Sequence, residues 1–388
     1  MHYNTIMSQL QTFVPRHHFE KLVESYHNDL YVKNFTTWNQ FTIMLYAQVS
    51  GKDSLRDIEN SFKAQSSKLY HIGLQSVKRS TLSDANQTRN YYIYEQLFYK
   101  ILKRCIDITP KHKFKFKNPL YLIDATVIDL CLSTFDWAKF RTTKGAIRIH
   151  CQFEHGGQIP TFMVVTDAKQ HEITVAKLSF SPVADSIYCF DKGYIDFRWF
   201  ASIDNNKAYF VTRAKDNIKY TVNGQHSEPK KNSVISDEII TLTGQLQKDY
   251  YPKELRLIHY YDKETNKFFE FLTNNFKLSA YTIAQIYKAR WQIEVFFKWI
   301  KQNLKIKTFL GTSKNAVLTQ VWIAMCYYLL LTYIKYQTKY KNSIFYLHKI
   351  IRTTILERLN LIDLLGLNDK NLSKVIHNDL QCQLALNL

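Results

Sequence analysis

Cysteine is sparse. Cys105, Cys131, Cys151, Cys189, Cys326 and Cys382 form no Cys-x2-Cys pair. That excludes a zinc knuckle and a disulfide-stapled module. With no signal peptide ahead of them, the thiols are expected to be reduced, in a cytoplasm. No internal repeat or low-complexity tract is present. No apolar run reaches the roughly 20 residues of a membrane span. The most apolar stretch, Val321 to Ile334, carries Tyr327, Tyr328, Thr332 and Tyr333 and reads as a buried core helix. Gly156-Gly157 is a hairpin turn, not a phosphate cradle, and His17-His18, His150, His155 and His171 share no metal-ligand spacing. His150 and His171 could line a cleft, but a core or surface role is the simpler reading. Acids are the other shortage: 33 Asp and Glu stand against 52 Lys and Arg, a net charge of +19. Such a field suits a polyanion, nucleic acid before anionic membrane. A Lys-rich proteome would give the same excess. What is abundant is core material, 46% apolar and 15% aromatic, which excludes disorder as the dominant state. At 388 residues, two or three domains are expected.

The first hundred residues read as helical. Thr36 to Val49 is amphipathic and Ser50-Gly51 breaks it. Ser54 opens a second helix, with Asp57 at capping-box spacing. A third helix is expected from Ser83 through Tyr91, Leu97 and Leu102. The basic turn Lys78-Arg79 before it fits a helix-turn-helix DNA reader, or an ordinary bundle with a solvated loop. Lys111, Lys113, Lys115 and Lys117 then alternate with His112, Phe114 and Phe116 as a linker or edge strand.

Beyond this point the period changes to two. Strands are expected at Leu120 to Leu132, Ala146 to Phe153, Ile159 to Thr166, Ser186 to Asp191 and Ala208 to Arg213. Helices are expected around Ile173 to Leu178 and Asp196 to Asn205. The order β-β-β-α-β-α-β is that of a ribonuclease-H-like α/β core. Four more strands between Asn217 and Lys277 read as a β-rich insertion. A helical remainder follows from Ser279.

Three acids stand out by position. Asp124 lies inside an apolar strand, LYLIDAT. Asp191 ends another, YCFDKGY. Glu294 lies on the helix after the insertion. A carboxylate in an apolar strand is costly unless it is paired or binds a metal. Ligands collect at the carboxyl ends of strands in α/β sheets. Parallel neighbours would place Asp124 beside Asp191, and two such charges call for a cation. Oxygen ligands without Cys or His favour two Mg²⁺ (or Mn²⁺) ions, which can stabilise both oxygens of a phosphodiester displacement. Each Asp could alternatively be a turn cap, and Asp129, Asp136 and Asp167 compete with Asp124. Asp129 lies an odd number of residues away, so on an unbroken strand it faces the other side.

The segment Tyr287 to Lys307 places Tyr287, Arg290, Glu294, Lys298, Lys301 and Lys305 within an arc of roughly 80° on a helical wheel. Ile293, Phe296, Phe297 and Ile300 fill the neighbouring arc. A solvated helix would mix charge signs for i,i+4 pairing. This one offers a rail for phosphates, with Tyr287 and Trp291 available to stack on bases, though it could be merely a basic surface helix.

These residues resemble the insertion-sequence-four (IS4) family of DDE transposases. Its Tyr-x2-Arg-x3-Glu-x6-Lys signature is complete in Tyr287, Arg290, Glu294 and Lys301. Its Asp-Arg-Gly-Tyr turn is matched by Asp191-Lys192-Gly193-Tyr194, where Lys192 keeps the charge but loses bidentate geometry. Asp124-Ala125-Thr126 and Phe210 to Lys215 are also similar. The resemblance implies a helical DNA-binding domain over 1–110. The ribonuclease-H-like core would run over 118–216, interrupted by an insertion over 217–278 and completed over 279–336, with a helical tail over 337–388 whose role in dimerisation the sequence leaves open. It implies catalytic, metal-holding Asp124, Asp191 and Glu294, with DNA contacts from Tyr287, Arg290, Trp291, Lys298, Lys301, Lys192, Lys78 and Arg79. It further implies cut-and-paste movement by a homodimer that binds terminal inverted repeats, cuts through a DNA hairpin and joins the ends to target DNA. The setting would be a bacterial cytoplasm, on the nucleoid, with no membrane partner. Water attacks first and a 3′-hydroxyl later, so no nucleophilic Ser or Cys is needed. A ribonuclease-H-like nuclease without strand transfer, or an inactive DNA-binding remnant, would share much of this pattern.

Overall fold

The computed structural model describes residues 4–141, 144–227 and 233–366. Those residues form two compact units, one of 4–109 with 300–366 and one of 110–299. Residues 367–388, with Cys382 and the last part of the expected tail, lie outside the described residues.

The first unit is helical. Thr37–Ser50 starts on Thr36, whose side chain accepts from the Asn39 N–H, and ends at Gly51 in the left-handed region, φ 69°. Ser54 caps the next helix, Leu55–Ala64, by accepting from the Asp57 N–H. The expected third helix is two: Arg79–Thr88 and Tyr92–Ile108. The break has a physical cause. Arg89 is extended and buried, its guanidinium donating to the Phe35 carbonyl, while Asn315 Nδ2 donates to the carbonyls of Asn86 and Arg89. Tertiary partners thus replace helical ones at that point.

Helix Lys314–Gln337 is long and apolar enough to cross a membrane by length and composition, yet it is buried along nearly its whole length. It packs against Thr37–Ser50, Arg79–Thr88, Tyr92–Ile108 and Ile344–Thr354. The core-helix expectation for Val321 to Ile334 therefore holds.

The second unit is built on a mixed sheet. Its strands are β1 (Leu120–Leu130), β2 (Lys139–Arg141), β3 (Lys144–Glu154), β4 (Ile159–Asp167), β5 (Ile187–Phe190), β6 (Tyr209–Arg213), β7 (Tyr220–Gln225), β8 (Val234–Leu242), β9 (Leu255–Asp262) and β10 (Lys267–Thr273). The order is β2-β3-β1-β5-β6-β10-β9-β8-β7, with β4 also on β3. β1 to β3 and β3 to β4 are antiparallel; β1 to β5 and β5 to β6 are parallel. β5, Ile-Tyr-Cys-Phe, is buried at every position, as a parallel strand covered on both faces must be. The strands of 217–278 continue this same sheet, because β10 pairs antiparallel with β6, Phe271 opposite Arg213. Ile123, Phe190, Trp199, Phe200, Phe210, Leu257 and Leu272 share one apolar cluster beneath it.

The segment expected as one helix over 287–307 is two, Ala280–Ala289 and Trp291–Asn303, meeting at Arg290. Lys305 therefore lies beyond the helix, and its ammonium pairs with Asp53. The cationic rail is shorter than the wheel suggested.

Candidate active site

The parallel register ends with Ile123 opposite Phe190, so Asp124, midway along β1, and Asp191, just past the carboxyl end of β5, come one step later on adjacent strands. Each is held locally. Asp124 Oδ1 accepts the Ala125 N–H at 2.8 Å. Asp191 Oδ1 accepts the Gly193 N–H at 2.8 Å and so caps the turn Lys192–Tyr194. A Cβ on residue 193 would stand 2.9 Å from that carboxylate oxygen, so a larger residue than glycine there would shift the Asp191 carboxylate.

Glu294 reaches the pair through Arg290. Arg290 Nη2 donates to Glu294 Oε1 at 2.7 Å, and Nη1 lies 3.7 Å from Asp124 Oδ2. The Arg290 guanidinium also sits over the Tyr287 ring, 5.6 Å from its centroid, and that ring packs on Phe271 at 5.0 Å. Tyr287 is thus part of the wall that fixes Arg290. Trp291 is the exposed aromatic beside it, 63% accessible.

Burial pushes the Asp124 carboxyl up to about 7, helped by Asp191 and Glu172 and opposed by the Ala125 N–H and Arg290. A carboxyl poised there loses its proton to water readily when a cation binds. Among the described residues, no three His, Cys, Asp or Glu side chains are grouped at metal-ligand spacing. Arg290 stands where Glu294 would close on Asp124. The donor chemistry nonetheless fits a hard divalent ion: two carboxylates on adjacent strands supply oxygen, and the Cys151 thiol opposite Asp124 is buried and pushed well above its ordinary range, so it stays protonated.

The remaining expected residues fall as follows. Lys192 is exposed on the turn after Asp191, and Lys298 is exposed on the Glu294 helix. Lys78, Arg79 and Lys301 belong to the other unit; Lys78 and Arg79 are exposed, and the Arg79 N–H donates to Glu59 at 3.1 Å. Asp129, Asp136 and Asp167 are exposed. His150 is fully buried against Thr166, and His171 is an exposed helix cap. Glu172 and Arg148 escaped the sequence reading, though the fields of Asp191 and Arg148 both act on Glu172. The available signal was faint, an acid opening a helix between two core strands.

Residues 115–330 match the family model described as Transposase DDE domain, and 2–75 match a domain of unknown function, DUF4372. Over 255 residues the chain is 32% identical to a protein of Sinorhizobium fredii named as the transposase y4zB, covering 64% of this chain and 69% of that one. It is 28% identical to a transposase named for insertion sequence element IS5377 of Geobacillus stearothermophilus, covering 70% of this chain and 71% of that one. It is 24% identical to a transposase named for IS4SA of Synechocystis, covering 66% and 72%. Among solved structures, a piggyBac transposase synaptic complex with hairpin DNA aligns over 92% of this chain and 77% of that one, at 11% identity and a TM-score of 0.44. With more than half its length inside the DDE domain, the chain belongs to the IS4-type DDE transposases, the polynucleotidyl transferases that cut and move insertion-sequence DNA.

Proposed function

We propose that Asp124, Asp191 and Glu294 are the catalytic acids, that they hold two Mg²⁺ or Mn²⁺ ions, and that the protein cuts DNA at terminal inverted repeats and joins the ends to a target. The observation that carries this is that Asp124 and Asp191 directly follow Ile123 and Phe190, the last register partners of neighbouring parallel strands, with Arg290 tying Glu294 to Asp124. The order β4-β3-β1-β5-β6 supports a ribonuclease-H-like core, extended by the later strands.

Bound divalent ions would supply the charge that stabilises attacking and leaving phosphodiester oxygens. The chain supplies the rest, which is mainly positioning. Asp124 and Asp191 present adjacent oxygens. Arg290 yields Glu294 to the site and turns its donors toward phosphate. Trp291 stacks on a displaced base, and Tyr287 holds the arginine plane beneath it. Lys192, Lys298 and Lys301 neutralise phosphates flanking the cut, and Lys78 and Arg79 contact DNA from the helical domain. A homodimer pairing two ends, and second-strand cleavage through a hairpin, complete the reading.

The test uses duplexes ending in the element's own repeats. Asp124→Asn is expected to abolish Mg²⁺-dependent cutting and joining while leaving repeat binding intact. Retained cutting by that variant overturns the assignment, and cutting without joining by the native protein points to a nuclease. Lys301→Ala is expected to lower the salt slope of DNA binding by about one counterion. An unchanged slope removes that residue from the phosphate track.

A further inference from the structure

The basic segment ahead of β1 has no part in the site described so far. It is neither helix nor strand, yet its exposure alternates. Lys111, Lys113, Lys115 and Lys117 are exposed, while His112, Phe114 and Phe116 are half-buried. Rings fix that orientation. Phe114 stacks on Phe116 with centroids 5.1 Å apart, His112 lies 4.6 Å from Phe116, and His155 packs on Phe114 at 5.4 Å. The β3–β4 turn lies against the same segment, since a Cβ on Gly156 would stand 2.7 Å from the Pro110 carbonyl oxygen. Glu154, the acid of that turn, accepts the Gly156 and Gly157 N–H groups.

Lys113 and Lys115 line a cavity of about 690 Å³, together with Lys277, Arg256 and Tyr281. No Asp or Glu lines it. Arg256 is already committed to Asp237 through two hydrogen bonds. Elsewhere in this unit lysines find acids: Lys177 pairs with Asp196, Lys253 with Asp204 and Lys288 with Glu264. Among the described residues, Lys113, Lys115 and Lys277 have no carboxylate partner. Like charges gathered around one concavity repel, and a polyanion relieves them. The place of the cavity narrows the choice of polyanion. Lys277 and Tyr281 bracket the start of helix Ala280–Ala289, and Arg290 follows its end. At 1.5 Å per residue the helix sets the cavity roughly 15 Å from Arg290. With a phosphate about every 3.4 Å along one strand, that is about four or five nucleotides, within the same duplex. This step rests on the reading that the protein cuts DNA beside Arg290. We propose that the cavity is a second DNA site, in which Lys113, Lys115 and Lys277 grip backbone phosphates of the duplex that carries the scissile bond.

The experiment is binding of the full-length protein, over a range of salt, to a duplex ending in the element's own repeats and to a repeat-free duplex of equal length. Fluorescence anisotropy reads the affinity, and thermal melting checks the fold. Lys113→Gln, Lys115→Gln and Lys277→Gln combined are expected to flatten the slope of log affinity against log salt by roughly two to three on the repeat-ended duplex. Lys113→Arg, Lys115→Arg and Lys277→Arg combined keep the charge and are expected to keep the slope. Lys253→Gln removes a lysine that already has an acid, and is expected to leave the slope unchanged. A native slope in the glutamine variant overturns the proposal, as does a comparable flattening in Lys253→Gln. Flattening confined to the repeat-free duplex means that target DNA fills the cavity, and it overturns the assignment too. Single neutral methylphosphonates locate the contact: the native protein is expected to lose affinity when one stands about four or five nucleotides from the cut. Should the glutamine variant melt low, this measurement decides the matter, and no loss there overturns the proposal. If the cavity fails while the native protein still cuts its repeats, the catalytic reading stands alone. If the native protein binds with the expected slopes but neither cuts nor joins, the catalytic reading is the one that falls.

Discussion

At the scale of single residues, burial sets the protonation of Asp124 and Arg290 moderates it. Its guanidinium lies near a buried carboxyl already raised to about 7, and its field pulls that carboxyl down while Asp191 pushes it up. The two signs can be separated. In the metal-free protein, Arg290→Met is expected to move the Asp124 titration above 7, so that less of it is ionised at neutral pH. Asp191→Asn is expected to move it below. Carbon-13 spectra of labelled aspartate follow both shifts, and a common direction would contradict the geometry. Asp124 and Asp191 were legible in the sequence because a charge inside an apolar strand has few inexpensive explanations. Glu172 was not, because an acid at a helix start is ordinary. Only the folded arrangement brings its helix onto the turn after β5. Tyr287 was half legible: its spacing to Glu294 was evident, but Phe271, which holds its ring, arrives from the inserted strands.

At the scale of elements, the segment after the Glu294 helix is pinned by side chains. Gln320 Nε2 donates to the carbonyls of Lys305 and Thr308, and its Oε1 accepts the Leu310 N–H at 2.8 Å. Gln48 Oε1 accepts the Lys305 N–H at 2.8 Å. Both glutamines are buried. Gln320→Leu keeps similar bulk but orphans several backbone groups, each costing about 1–3 kcal/mol. Urea unfolding is expected to show a loss of at least 2 kcal/mol, on the order of two such groups. A loss under about 0.5 kcal/mol would mean that the loop relaxes to water. The helix bounded by Thr36 and Gly51, and the start at Ser54, could be read from capping chemistry alone. The break at Arg89 could not, because Asn315 supplies it from more than two hundred residues away. The continuation of one sheet through β10 was equally hidden: alternation identifies a strand, not its neighbour.

At the scale of the whole molecule, buried titratable groups make stability depend on pH. Burial, with Arg352 nearby, lowers His348 to about 4 from 6.5, and its Nδ1 is 3.0 Å from the Tyr327 hydroxyl. Between pH 6.5 and 4 the unfolded chain takes up a proton that the folded one refuses. Stability therefore falls on acidification, by about 1.4 kcal/mol per pH unit for that group. His150 and His155 act in the same sense. Asp124, raised rather than lowered, acts in the opposite one. The cleanest measure is a difference: His348→Gln is expected to lose less stability than the native protein as pH falls through that window. Parallel curves would show that His348 charges in place.

The helix Lys314–Gln337 has a consequence for biosynthesis. Three of the helices that pack on it end by Ile108, so a ribosome must add roughly two hundred residues before their partner emerges. Until then the first helical segments can bury their apolar faces only against one another, as Phe19 does on Phe41 and Tyr94, and the surface that meets Lys314–Gln337 stays open. A chain interrupted before residue 314 would leave that surface uncovered, and it is expected to be degraded faster than the intact protein.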